Sequence, residues 1–329
     1  MNKPVLFAGF RPLDRSENLN AIFEAYQGSK TFIDKTVSPT MFHNLVRSGI
    51  YDLMVTDDFT DISPGKVIMV WHAIHGCKTL GLSQPYIPYY NLGMSDTMTY
   101  IISAGTGEIR KLWSRDTNVP LHRILPLGYA ASDLYIGKKK GDGGTFLADY
   151  KSFLYVPTFR DINDGIRHEP YYREIDSMLE DGQLFVVKEH PYYFYQKHQM
   201  PVNSGAYKHV VFISPTEPTA PYLIDCDAVV TDYSSVMLEG YLCDKPCVLF
   251  HSDNSYLRNR GMCFEYPAVY SPFTARDEME LVTMLNSVAY QDIPDDRKHR
   301  AEAREFFASS CDGHSRERIC DFIERVNRE

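Results

Sequence analysis

Asp227-Ala-Val-Val-Thr-Asp-Tyr-Ser-Ser-Val-Met-Leu-Glu-Gly-Tyr-Leu-Cys-Asp-Lys-Pro-Cys-Val-Leu-Phe250 is the stretch that decides the fold. Ala228–Thr231 is short, apolar and β-branched, as a strand buried on both faces requires. Ser234 and Ser235 then open an amphipathic helical run. Cys247–Phe250 is a second apolar run. A strand, a helix and another strand in so short a stretch define a crossover between parallel neighbours. The helix start has unpaired N–H groups that suit a phosphate, and two adjacent hydroxyls add donors. Glu239 lies four residues after Ser235, on the same helical face, within reach of a ribose hydroxyl. Equally, the serines cap the helix and Glu239 complements its dipole; spacing alone leaves both readings open.

The same alternation runs outward in both directions. Before it the strand candidates are Val5–Ala8, Tyr51–Val55, Val67–Trp71, Tyr100–Ser103 and Ile124–Leu127, then Phe153–Val156, Leu184–Val187 and Val210–Ile213. Helical stretches fall between them, such as Ser16–Tyr26 with Ser16 as its N-cap. From Arg276 onward the chain reads as helices. Gly137-Lys-Lys-Lys-Gly-Asp-Gly-Gly144 cannot pack a core and reads as a linker. The expectation is therefore an α/β protein with two Rossmann-like domains of glycosyltransferase-B type. Residues 1–140 form an acceptor-side domain, and residues 145–329 form a donor-binding domain carrying the terminal helices. Ligands in such sheets sit at the carboxyl ends of the strands.

Composition limits the partners. The chain has 329 residues, 34 basic against 43 acidic, for a net charge of −9. That sign disfavours nucleic acid as a partner. No apolar run approaches the ~20 residues a membrane span needs. Val5–Phe10 is too short and too soon interrupted for a signal peptide and reads as a first strand. Seven cysteines without a Cys-x-x-Cys pair fit reduced thiols in a cytoplasmic protein.

Three other segments place polar groups at strand ends. Leu184-Phe-Val-Val-Lys-Glu-His-Pro191 puts Lys188 and His190 there, and Pro191 stops the strand. Val70-Trp-His-Ala-Ile-His-Gly-Cys-Lys-Thr-Leu-Gly81 runs from a strand into a loop holding His72, His75 and Lys78. Histidine is the natural general base near neutral pH. A His72–His75 metal pair is the weaker reading, since no third ligand is evident. Tyr155-Val-Pro-Thr-Phe-Arg160 ends in Pro157-Thr158 with Arg160 beyond, and an arginine suits bidentate phosphate contact or a surface ion pair. There is no Walker loop and no Gly-x-Gly-x-x-Gly. Asp57-Asp58 and Asp225-Cys-Asp227 are weak metal candidates, the latter reading as a solvated turn. The expectation is no metal and no cofactor.

In order, Trp71-His72 with Lys78 and Gly81, Pro157 to Arg160, Lys188 to Pro191, and Thr231 to Glu239 with Lys245-Pro246 resemble the CDP-glycerol glycerophosphotransferase family of teichoic-acid and capsule synthesis. Tyr256, Arg260-Gly261 and Asp312-Gly313 with Arg318 match it too. The resemblance implies that His72 and His190 are the catalytic pair and that Pro157, Thr158, Lys188, Ser234, Ser235 and Glu239 surround the donor. Trp71, Lys78, Arg160, Thr231 and Asp232 complete the binding set expected from those motifs. The implied reaction moves glycerol phosphate, or a related polyol phosphate, from CDP-glycerol to a hydroxyl of a lipid-linked or glycan acceptor. CMP leaves, and the enzyme is cytoplasmic with peripheral contact on the inner membrane face. Two departures stand out. The family's Gly-x-Pro-Arg-x-Asp is Gly128-Tyr-Ala-Ala-Ser-Asp133 here, without the arginine, and Gln84-Pro-Tyr-Ile-Pro-Tyr-Tyr90 is unusually aromatic. A nucleotide-sugar glycosyltransferase or a silent nucleotide-binding scaffold would use the same nucleotide pocket.

Overall fold

The apolar runs form two parallel sheets in the computed structural model, which describes residues 3–84, 94–159, 170–191, 206–251 and 255–329. The first sheet comprises β1 (Val5–Gly9), β2 (Lys30–Asp34), β3 (Leu53–Thr56), β4 (Lys66–Met69), β5 (Tyr100–Ile102) and β6 (Ile124–Leu125). Its order is β2-β1-β3-β4-β5-β6, and every pairing is parallel. The second comprises β7 (Lys151–Tyr155), β8 (Gln183–Val187), β9 (Val210–Phe212), β10 (Ala228–Thr231), β11 (Cys247–Phe250) and β12 (Phe273–Ala275). Its order is β12-β11-β10-β7-β8-β9, again all parallel.

The order reverses between β1 and β3 in one sheet and between β7 and β10 in the other. In open α/β sheets, ligands bind just beyond the strand ends at such a reversal. The decisive stretch therefore opens at the switch point of the second sheet. The central strands are buried on both faces, Val5 to Ala8 and Ala228 to Val230 completely, which is why their apolar runs were readable.

Two strands differ from the sequence expectation. Lys30–Asp34 and Phe273–Ala275 lie on sheet edges. Their residues are mostly half-buried, so neither carries a continuous apolar run. The strand expected over Val67–Trp71 ends at Met69. Ser16 precedes the helix Glu17–Ala25 without capping it by its side chain.

The chain divides into two compact units, residues 1–136 with 305–329, and residues 137–304. This corrects the expectation that the terminal helices all belong with residues 145–329. In the last helix, Ser315–Arg328, Ile319, Phe322, Ile323 and Val326 share one core with Val5, Phe7, Leu53 and Ile68 of the first sheet. The amphipathic pattern shows that such a helix has a buried face but not which sheet receives it.

The glycine-lysine stretch is held more firmly than a linker. The Asp225 carboxylate, fully buried, accepts from the backbone N–H groups of Gly141, Gly143 and Thr145 at 2.7–3.0 Å, and from Thr145 Oγ1 at 2.9 Å. Asp227 pairs with Lys140 and Lys151 and accepts from Ser152 N–H. The expected solvated turn at Asp225-Cys-Asp227 is thus a buried clamp on the start of the second unit.

Candidate active site

In the second unit the loops after β10, β7 and β8 are consecutive along the sheet edge. Internal hydrogen bonds fix the first two. The Thr158 N–H donates to Asp232 Oδ1 at 2.8 Å, and the Tyr233 N–H donates to the same oxygen at 2.6 Å. Thr231 Oγ1 donates to the Val156 carbonyl at 2.6 Å. Thr231 and Asp232 therefore shape the edge from within. Pro157 and Thr158 are buried beside them, while Ser234 and Ser235 are partly exposed. Ser235 precedes the helix Val236–Leu242 but makes no capping bond with its side chain. Ser234 Oγ lies a long 3.4 Å from the Val236 N–H. Glu239 is buried one turn into that helix.

Beyond β8, buried Lys188 donates from Nζ to the Pro215 carbonyl at 3.1 Å. His190 is partly exposed, its ring 5.1 Å from that of Phe159. The Arg260 guanidinium lies over the Phe159 ring at 5.4 Å. Phe159 thus brings a histidine and an arginine to one sheet edge, a grouping its sequence neighbours do not announce. Arg160 lies outside the described residues, as do positions 85–90 of the aromatic stretch.

The first unit builds the other half of the set on the loops after β1, β3 and β4. Asp57, 1% exposed, organises them. Its carboxylate accepts from Phe10 N–H at 2.9 Å and Ser16 Oγ at 2.8 Å. Its carbonyl oxygen lies 3.1 Å from His72 Nδ1. A carbonyl can only accept, so the neutral imidazole carries its proton on Nδ1 and keeps its lone pair on Nε2. Burial lowers the His72 pKa, and the Arg11 charge acts in the same direction, against Asp58 and Asp57. Burial also raises the Asp58 pKa, with the Lys35 charge opposing it, and lowers that of Lys35. The Trp71 ring lies 4.3 Å from His72 and packs on Phe59 and Trp113. Lys78 follows, partly exposed, in the same loop.

His72 and His75 are held by different partners. His75 is 4% exposed, and its Nε2 sits 3.0 Å from Asp116 Oδ2. Asp116 also accepts from Arg115 Nε and Ser83 Oγ. Burial raises the Asp116 pKa, but the bonds and charge of these partners outweigh it and hold it low. His75 is therefore part of the framework. The Asp57 carboxylate and those of Asp225 and Asp227 are likewise occupied by protein donors. Arg11, Asn18 and Arg260 were not among the residues expected at the site. Arg11 follows a strand at the switch point, a positional signal that sequence holds only once the strand order is known.

Two parallel-sheet units with polar loops on their carboxyl edges define the α/β class in which nucleotide-donor transferases and nucleotide-sugar epimerases are built. The chain belongs to the CDP-glycerol:poly(glycerophosphate) glycerophosphotransferase family, whose profile matches residues 44–325. It is 25% identical to the teichoic acid poly(ribitol-phosphate) polymerase of Bacillus spizizenii over 94% of this chain and 52% of that protein. It is also 25% identical to the teichoic acid glycerol-phosphate primase of Bacillus subtilis, over 79% of this chain and 68% of that protein. The chain spans about half the length of the first of these relatives. The wall teichoic acid polymerase TagF superposes with a TM-score of 0.75 at 17% identity, covering 99% of this chain and 89% of that one. A UDP complex of Staphylococcus aureus MnaA gives 0.59 at 13% identity, over 100% and 97%. Both likenesses concern the fold.

Proposed function

We propose that this chain transfers glycerol phosphate, or a related polyol phosphate, from a CDP-linked donor to a hydroxyl of a lipid-linked or glycan acceptor in teichoic-acid or capsule-like polymer synthesis. Family membership sets the class, and a TagF structure soaked with CDPG superposes at a TM-score of 0.77. The observation that carries the reading is the His72 imidazole, whose Nδ1 is tied to the Asp57 carbonyl so that Nε2 is left as a base. His72 Nε2 takes the proton of the acceptor hydroxyl. The freed oxygen attacks the glycerol-bearing phosphorus, the bond to the CMP oxygen breaks, and CMP leaves. His190 stabilises the phosphate or protonates the leaving group, and Lys188 with the Ser234-Ser235 turn balances its charge. Such transfers depend on positioning and charge stabilisation more than on covalent catalysis. The donor sits in the second unit, at the carboxyl ends of its strands. The enzyme works in the cytoplasm, in peripheral contact with the inner membrane face, and needs no metal for the chemical step.

The test is to incubate the full chain with CDP-glycerol and an acceptor, with UDP- and CDP-sugars in parallel, and to score the nucleotide released. CMP from CDP-glycerol is expected, undiminished by excess EDTA. Nucleoside diphosphate from a sugar donor would make it a glycosyltransferase. Donor binding is read with Ser235→Ala. Because the Ser235 hydroxyl makes no cap, the melting temperature should hold. Losing one hydrogen bond to a charged ligand, ~1.5–3 kcal/mol, weakens donor affinity roughly 10–100-fold. A helix-capping serine would give the reverse, lower stability at unchanged affinity.

A further inference from the structure

Three described non-glycine residues have positive φ: Trp71 at 46°, Asn118 at 58° and Asp244 at 58°. Asparagine and aspartate enter the left-handed region readily; tryptophan does not. The backbone immediately before His72 is therefore strained, and something must hold it. Asn18 meets that need. It is 2% exposed, in the first turn of the helix Glu17–Ala25. Its Nδ2 donates to the carbonyls of both Val70, at 2.6 Å, and Trp71, at 2.8 Å. Its Oδ1 accepts from the Ala131 N–H at 3.1 Å. One amide thus pins the peptides on both sides of the strained Trp71 and anchors them to the segment Ala130–Leu134. The Tyr129 hydroxyl, adjacent to that segment, reaches the His72 carbonyl at 3.4 Å.

We propose that Asn18 is a positioning residue for His72: by holding the left-handed turn at Trp71 it presents the imidazole to the Asp57 carbonyl and so selects the tautomer with Nε2 unprotonated. Strain of this kind persists only where surrounding contacts over-determine it, and it gathers at functional sites. Both donors and the acceptor of the Asn18 amide are used, so no other residue type supplies the same three bonds from that position. The inference rests on the reading of His72 as the base.

The experiment uses the full chain with Asn18→Asp, Asn18→Ala, His72→Ala and the Asn18→Ala/His72→Ala pair. Asn18→Asp keeps the acceptor for Ala131 and removes both donors. Turnover should fall about 10–100-fold in each single Asn18 variant, the loss ascribed to misplaced catalytic groups, with KM for CDP-glycerol within about twofold of wild type. In the pair, the Asn18 change should cost nothing beyond His72→Ala, because residues that act as a unit are not additive. Nitrogen-15 spectra of the histidine rings should show His72 protonated on Nδ1 in wild type and a mixed or Nε2-protonated ring in Asn18→Asp. An additive loss in the pair, a wild-type ring protonated on Nε2, or an unchanged tautomer in Asn18→Asp would each overturn the proposal. So would loss of the fold in both Asn18 variants, which would mark the residue as structural. If His72→Ala keeps near-normal turnover, the base reading fails instead, and the spectra still decide the role of Asn18.

Discussion

At the residue scale, the proposed role of His72 as the base predicts how the reaction responds to acid. Its pKa is lowered by burial and by Arg11, so the neutral ring persists below the ordinary histidine value of about 6.5. The acid limb of kcat/KM should therefore have an apparent pKa below 6.5, and Arg11→Ala should move it upward. A limb at or above 6.5 in wild type would assign that titration to another group. Stability follows with a definite sign. Between about pH 6.5 and the lower folded value, the unfolded chain binds a proton that the folded chain does not. Stability is thus complete above that window and falls as pH falls through it. Melting temperatures taken from pH 7 to 5 should show this loss in wild type and less of it in His72→Ala.

At the scale of elements, the Asp225 clamp makes a testable claim about Gly137–Gly144. Asp225→Ala leaves the N–H groups of Gly141, Gly143 and Thr145 without their carboxylate. At ~1–3 kcal/mol for each fully buried orphan, and less for these half-exposed ones, the loss should be roughly 2–4 kcal/mol. Denaturant titration measures it, and Asn at position 225 should recover part. Intact stability would mean the segment is an open linker after all. The same elements show what was legible beforehand. Strands buried on both faces were readable from composition, as in Val5–Gly9, whereas the edge strands Lys30–Asp34 and Phe273–Ala275 lack that signal. The Trp71-His72 loop was readable as a motif. Asn18 was not, because an asparagine early in a helix looks like surface, and its partners lie 52, 53 and 113 residues away. Asp225 was misread for a similar reason, since its donors are backbone groups that leave no mark in the sequence.

At the scale of the whole molecule, the first unit is built from two stretches far apart in sequence, residues 1–136 and 305–329. Ile319, Phe322, Ile323 and Val326 each have little or no exposure in its core. Burying such side chains contributes ~1.5–3 kcal/mol each, so together they amount to a large part of the 5–15 kcal/mol typical of a domain. Ending the chain before Ser315 should therefore unfold residues 1–136 while residues 137–304 stay folded. Limited proteolysis with mass mapping of the fragments distinguishes this from a uniform effect. A truncated chain with a wild-type proteolytic pattern would show that the helix is dispensable.

The placement of that helix also bears on how the protein is made. Domains ordinarily fold in the order they leave the ribosome. Of these two units, the one that begins to emerge earlier is completed later, since it waits for all of Gly137–Arg304 and then for the helix Ser315–Arg328. At about 5–20 residues per second, the nascent first sheet spends roughly ten to forty seconds with part of one apolar face uncovered. During translation that face, left open where Ile319 and Phe322 will land, is the natural target for a chaperone.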